Sequence, residues 1–188
     1  MVIANASRPM GFIPYNMGGR ANPIITPRPV AAARAGTNHN LTNDDLAVGD
    51  AYTLDANGNA HRAGSTGGVD PVHGIVIGFK LAPNPTVAPG PLSQDYLPQA
   101  QAGTILGCED PAARFVVQAN TFAVTNRSGK FDLADAVPDP TFRQSRQTLT
   151  TTNPGTNFLA EDITPESADN TYGANATVLV RLLNTINN

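Results

Sequence analysis

Apolar residues after position 45 fall in short runs separated by turn-forming residues, and none of these runs has the spacing of a long helix face. Val72 to Leu81 and Ala176 to Ile186 hold the densest β-branched and aliphatic runs. Both are predicted as core strands, the C-terminal one near the centre of the fold. Gly74 and Gly78 inside the first run predict a bend or a bulge. Leu46 to Leu54 is predicted as a strand returning over Ala60 to Ala63, because Asn57-Gly58 between them suits a tight hairpin turn. Thr104 to Glu109 and Arg114 to Ala119 flank Asp110-Pro111 and are expected to pair as a hairpin, with Thr121 to Thr125 continuing the sheet. Arg146 to Thr152 alternates like a half-buried strand, and Phe158 to Ile163 is a further strand. Lys130 to Val137 reads equally as a short helical turn or a strand end. Pro83, Pro85, Pro89, Pro91 and Pro98 make 82–98 a long surface loop. The expected fold class is all-β, a single β-barrel or jelly-roll-like sandwich over residues 45–188.

Residues 1–44 follow a different pattern. Between Pro9 and Pro29, five prolines and three glycines fill twenty-one positions, so regular ladders are interrupted every few residues. Yet Ile3, Met10, Phe12, Ile13, Tyr15, Met17, Ile24, Ile25 and Val30 are more apolar than a solvated linker requires. Ordering a residue costs roughly 1–2 kcal/mol, and burying one such side chain returns roughly 1.5–3 kcal/mol. These side chains alone do not offset the ordering of roughly forty residues. The segment therefore reads as an extended N-terminal arm that orders against a partner. Phe12, Ile13, Tyr15, Ile24 and Ile25 are its apolar anchors, and Arg8, Arg20 and Arg28 its charged contacts.

Composition narrows the function. Charged residues make up 14% of the chain and the net charge is −3, against the clustered Arg and Lys that nucleic acid demands. The 18 Asn serve turns and the 19 Thr serve strands, which fits many short strands. The lone Cys108 excludes an internal disulfide framework and reads as a buried packing residue. No apolar stretch approaches a membrane span, and the first residues show no uninterrupted h-region, so four Asn-X-Ser/Thr sequons are read as coincidence. His39, His61 and His73 lack metal-ligand spacing. Asp44-Asp45 and Glu109-Asp110 adjoin turns and read as turn caps, and Gly64 to Gly68 lacks the Lys of a phosphate loop. No nucleophile, base and oxyanion set assembles. The expectation is a non-enzymatic protein without cofactor or metal.

Several short motifs share an order with a known family. Arg8 to Tyr15, with its Gly11-Phe12-Ile13-Pro14 core, resembles the opening of tailed-bacteriophage capsid decoration (cement) proteins. Leu46 to Asp50, Gly74 to Phe79, Glu109-Asp110-Pro111 with Phe115 to Gln118, and Asp169 to Asn184 resemble later motifs of the same family in the same order. The proline-rich 82–98 stretch and residues 126–168 depart from it. The resemblance implies a virion protein on the outer surface of an icosahedral head that clamps adjacent major capsid protein subunits. It also implies self-association, with a dimer favoured over a trimer, and no contact with nucleic acid or membrane. The rival reading is a carbohydrate- or receptor-binding β-module of a head fibre or tail. Four Tyr and no Trp leave it few sugar-stacking platforms.

Overall fold

A computed structural model describes residues 10–16, 24–32, 45–64, 71–80, 95–98, 101–134, 138–139, 141–142, 144–150, 155–164 and 170–183. Strands are short because glycine, proline or asparagine interrupts the apolar runs within a few residues. In chain order they are β1 (Ile13–Asn16), β2 (Ile25–Val30), β3 (Leu46–Ala47), β4 (Ala51–Leu54) and β5 (Ala60–Arg62). There follow β6 (Gly74–Lys80), β7 (Tyr96–Leu97), β8 (Gly103–Cys108), β9 (Arg114–Gln118) and β10 (Thr121–Phe122). The last are β11 (Lys130–Ala134), β12 (Thr148–Thr150), β13 (Phe158–Ile163), β14 (Gly173–Ala174) and β15 (Thr177–Leu182). A 3-10 turn at Val124–Asn126 is the one helical element among the described residues, so the all-β expectation holds.

Two antiparallel sheets carry the architecture. One has the order β1-β9-β15-β13-β11-β12, the other β2-β8-β6-β4-β5, and the pairs β10-β14 and β3-β7 lie outside them. Phe115, Val117, Val178 and Val180 of the first sheet share one core with Ala51, Ile75 and Cys108 of the second. A smaller core holds Val30, Leu46, Tyr52, Ala60, Val76 and Ile105. Ile75 and Val76 enter different cores, so β6 is buried on both faces, as its continuous apolar run signals. The predicted bulge falls in β6 between Val76 and Gly78.

The sequence expectation of a barrel is corrected. Neither sheet closes: β1 and β12 end one, β2 and β5 the other. β2 approaches β5, but no ladder joins them. Pro27 and Pro29 on β2 lack the N–H that a further ladder would need.

Other boundaries also differ. β8 and β9 do not form a hairpin, because each is already flanked on both sides, β8 by β2 and β6 and β9 by β1 and β15. The turn between them carries the chain from one sheet to the other, closed by Ala113 N–H donating to the Asp110 carbonyl at 3.0 Å. The expected strand 46–54 splits in two, since Ala47 N–H donates to Asp50 Oδ2 at 2.8 Å and closes a turn. Thr121 to Thr125 does not continue the sheet: β10 pairs only with β14 and stops at Phe122, where Ala123 N–H donates to Asn126 Oδ1 at 2.7 Å and starts the 3-10 turn. Lys130–Ala134 is a strand rather than a helical turn. The Asn57-Gly58 hairpin forms as expected between β4 and β5. Most of the 82–98 loop lies outside the described residues, but Tyr96–Leu97 pairs with Leu46–Ala47.

The described part of 1–44 belongs to the body. β1 pairs with β9 and β2 with β8, so these segments order against their own chain. Phe12 is fully buried, and its N–H donates to the Gly49 carbonyl at 2.8 Å. Gly11 makes that entry possible: its φ is +69° and a Cβ there would meet Ser145 Oγ at 2.3 Å.

Candidate functional site

Of the eight residues expected to meet a partner, the structure places four at the surface, on the two N-terminal edge strands or beside them. Ile13 and Tyr15 lie on β1, Ile25 begins β2, and Ile24 precedes it. With Met10 these side chains are 40–48% exposed, and they make up most of the exposed large hydrophobics among the described residues. Both strands are sheet edges, β1 beside β9 and β2 beside β8. Pro14, Pro27 and Pro29 remove backbone donors from these edges, which disfavours further strand pairing and leaves side chains as the contacts.

Phe12 and Arg28 meet groups of their own chain. Phe12 belongs to the shared core, because an apolar ring gains most where both sheets cover it. Arg28 is held inside the chain: Nε and Nη2 donate to Glu109 at 2.6 and 2.8 Å, a bidentate charge-assisted pair. Arg8 and Arg20 lie outside the described residues.

Glu109 is the hub that sequence reading missed, having placed it in a turn cap. Besides Arg28, it accepts from Tyr52 Oη at 2.6 Å and Thr26 Oγ1 at 3.0 Å. Burial pushes the Glu109 carboxyl up, but the hydrogen bonds from Arg28 and Tyr52 outweigh it and leave the group below the usual carboxylate range. Burial and the Glu109 charge push the Tyr52 hydroxyl well above its ordinary value. The cluster therefore stays ionised as Arg28–Glu109 with a neutral Tyr52, and it fastens β2 to β4 and the end of β8. Tyr52 reaches Glu109 through a slot in the neighbouring strands, where a Cβ on Gly107 would lie 2.1 Å from its hydroxyl. The signal available in sequence was Gly107 next to Cys108-Glu109, a small residue in an otherwise bulky strand.

Asp110 behaves as the expected turn cap, accepting from Ala112 N–H at 2.9 Å. Cys108 is buried and burial pushes its thiol up, in keeping with a packing role. His61 Nε2 lies 3.3 Å from Asp55 Oδ2, while His39 lies outside the described residues. Among the described residues no group of three or more His, Cys, Asp or Glu is placed to hold a metal ion. Phe142, 72% exposed, is a second apolar feature missed in the sequence. Its turn is preset by Asp139 Oδ1, which accepts from Thr141 and Phe142 N–H. No helix among the described residues is long and apolar enough to cross a membrane.

Comparison with family models, curated proteins and solved structures finds no match to this chain.

Proposed function

We propose that the chain is a non-enzymatic structural protein of a tailed-bacteriophage head. In this reading it sits on the outer surface of the icosahedral capsid and clamps adjacent major capsid protein subunits, its two sheets packed as a jelly-roll-like sandwich. The observation that carries the reading is the concentration of Met10, Ile13, Tyr15, Ile24 and Ile25, exposed, at two sheet edges. Scattered surface apolar residues are ordinary, whereas a concentration at rigid edges supports a protein partner.

The resembling motifs also meet in space. Phe12 N–H donates to the carbonyl of Gly49, which joins the opening Gly-Phe motif to the Val48-Gly49-Asp50 motif. In the closing motif, Asn170 Oδ1 accepts from Thr177 N–H at 3.0 Å and Nδ2 donates to the Thr177 carbonyl at 2.8 Å, which docks the loop before β15. Shared motifs that close the same body support a shared fold. A dimer remains the favoured assembly, with a trimer as the alternative.

The test mixes the purified full chain with undecorated heads assembled from the major capsid protein of the phage that carries it. Copies per head are counted after sedimentation. Stoichiometric binding is expected, with a large loss for Ile13→Asp combined with Ile25→Asp. Heads that sediment without the chain refute the proposal.

A further inference from the structure

The outer face of the six-stranded sheet carries two cations, Arg181 and Lys130, that pair with no carboxylate among the described residues. Phe115 and Val117 of β9, Val178, Val180 and Leu182 of β15, and Phe131 of β11 are buried inward. Alternation along the strands therefore turns Arg114, Val116, Leu179, Arg181 and Lys130 outward. Register aligns them. Arg114 lies opposite Arg181, Arg181 opposite Leu159, and Leu159 opposite Lys130, so three cations share one row across the sheet. Beside it, Ile13, Val116 and Leu179 align as an apolar row that ends at Asp162 on β13. Like charges directly opposite one another on neighbouring strands are destabilising. Glu161 relieves Arg114, its Oε1 accepting from Nε at 3.1 Å. Asp162 on the same strand is already paired with Arg127. Among the described residues no carboxylate pairs with Arg181 or Lys130, and both are exposed.

We infer that this face binds an extended, carboxylate-bearing segment of a partner protein, lying across the strands with its acidic side chains on Arg181 and Lys130, beside the Arg114–Glu161 pair. Its apolar side chains cover Ile13, Val116 and Leu179. From β9 to β11 is three strand spacings, about 14 Å, which about four or five extended residues span. Charge selects the occupant. A second copy docking through the same face brings the same cations and only carboxylates already engaged by Arg114 and Arg127, whereas an acidic segment supplies the counter-charges that Arg181 and Lys130 lack. The chain's net charge of −3 makes this cationic row a local exception and not a general property of the surface. The inference rests on the capsid reading only for which protein carries the segment.

The test uses the full chain and a fluorescein-labelled pentapeptide alternating Glu and Val, with binding followed by anisotropy at low salt. Arg181→Glu with Lys130→Glu is the decisive variant, and Lys80→Glu, on the other sheet, is the control. All three proteins are first matched by thermal melt, and Arg181→Met with Lys130→Met replaces the reversal if it alters folding. The expected result is binding that falls about tenfold or more in the double variant, stays unchanged in the control, and weakens with added salt. No binding by the parent chain, or equal binding by the double variant, overturns the inference. Undecorated heads separate the two readings. Heads bound equally by parent and double variant remove this site and leave the capsid role. Peptide binding that depends on Arg181, without any binding to heads, keeps this site and removes the capsid role.

Discussion

The Phe12 ring lies on the Phe158 ring, with centroids 4.7 Å apart and planes 16° from parallel. One ring comes from the proline- and glycine-rich N-terminus and the other from β13, so the N-terminus is fastened into the core. Both rings are fully buried. Phe12→Ala is expected to cost about 3–5 kcal/mol, read as a lower urea midpoint. Deleting residues 1–40 removes the same ring together with β1 and β2, so the deletion lowers the melt as well. An unchanged midpoint in Phe12→Ala would show that the N-terminus leaves the body in solution.

Tyr52 makes a comparable demand on β8. Gly107→Ala drives a Cβ into the tyrosine ring and hydroxyl, and a Cβ added at Gly74 would likewise lie 2.8 Å from that ring, so two glycines make room for it. Overpacking of this kind costs about 1–3 kcal/mol. Tyr52→Phe acts on the same cluster with a cost of similar size. It removes one charged hydrogen bond, worth about 1.5–3 kcal/mol, while Arg28 and Thr26 still satisfy Glu109. Thermal melts of both variants are expected to lie below that of the parent chain.

The exposed edge residues should behave in the opposite way. Ile13→Asp and Ile25→Asp alter side chains that lie at the surface, 40 and 43% exposed, so each is expected to cost far less stability than Phe12→Ala. Their effect is expected in association, as a lower apparent mass by light scattering at high concentration or fewer copies per head. A large drop in melting temperature would place these residues in the fold instead.

Much of the body was legible because its signals are local. The β15 run, the Asn57-Gly58 turn and the β6 bulge each follow from a few adjacent residues. What escaped the sequence was long-range. Nothing in Thr104 to Ala119 shows that β8 and β9 already have neighbours on both sides, because those neighbours are β1, β2, β6 and β15. The N-terminal segment looked too poor in apolar residues to order itself, since that accounting omitted the core that β9 and β13 bring to Phe12. Arg28 and Glu109 sit 81 residues apart, so a surface arginine and a turn glutamate gave no sign of their pairing. Ile13, Tyr15, Ile24 and Ile25 lie exposed while Phe12 of the same segment is buried, a difference that composition does not show.

Acidification is expected to weaken the fold in two separate windows. Burial pushes the Asp55 carboxyl up, but N–H groups of Asn59 and Asn57, with the His61 ring, outweigh that and hold it at about 2. In the unfolded chain the same group titrates at about 3.9, so the unfolded state takes up the proton first. The stability it contributes is present above about pH 4 and is lost as pH falls towards 2. Glu109, also depressed, acts in the same direction. His73 opens an earlier window. Burial lowers its pKa, against the pull of the Pro71 carbonyl at 3.0 Å, so the unfolded chain again binds the proton first. Its contribution is complete above about pH 6.5 and declines as pH falls below that value. Urea midpoints measured from pH 8 to pH 3 are expected to fall in two steps. His73→Gln should flatten the upper step alone, and Asp55→Asn the lower. A midpoint that rises on acidification contradicts both assignments, and a single step untouched by His73→Gln removes the histidine.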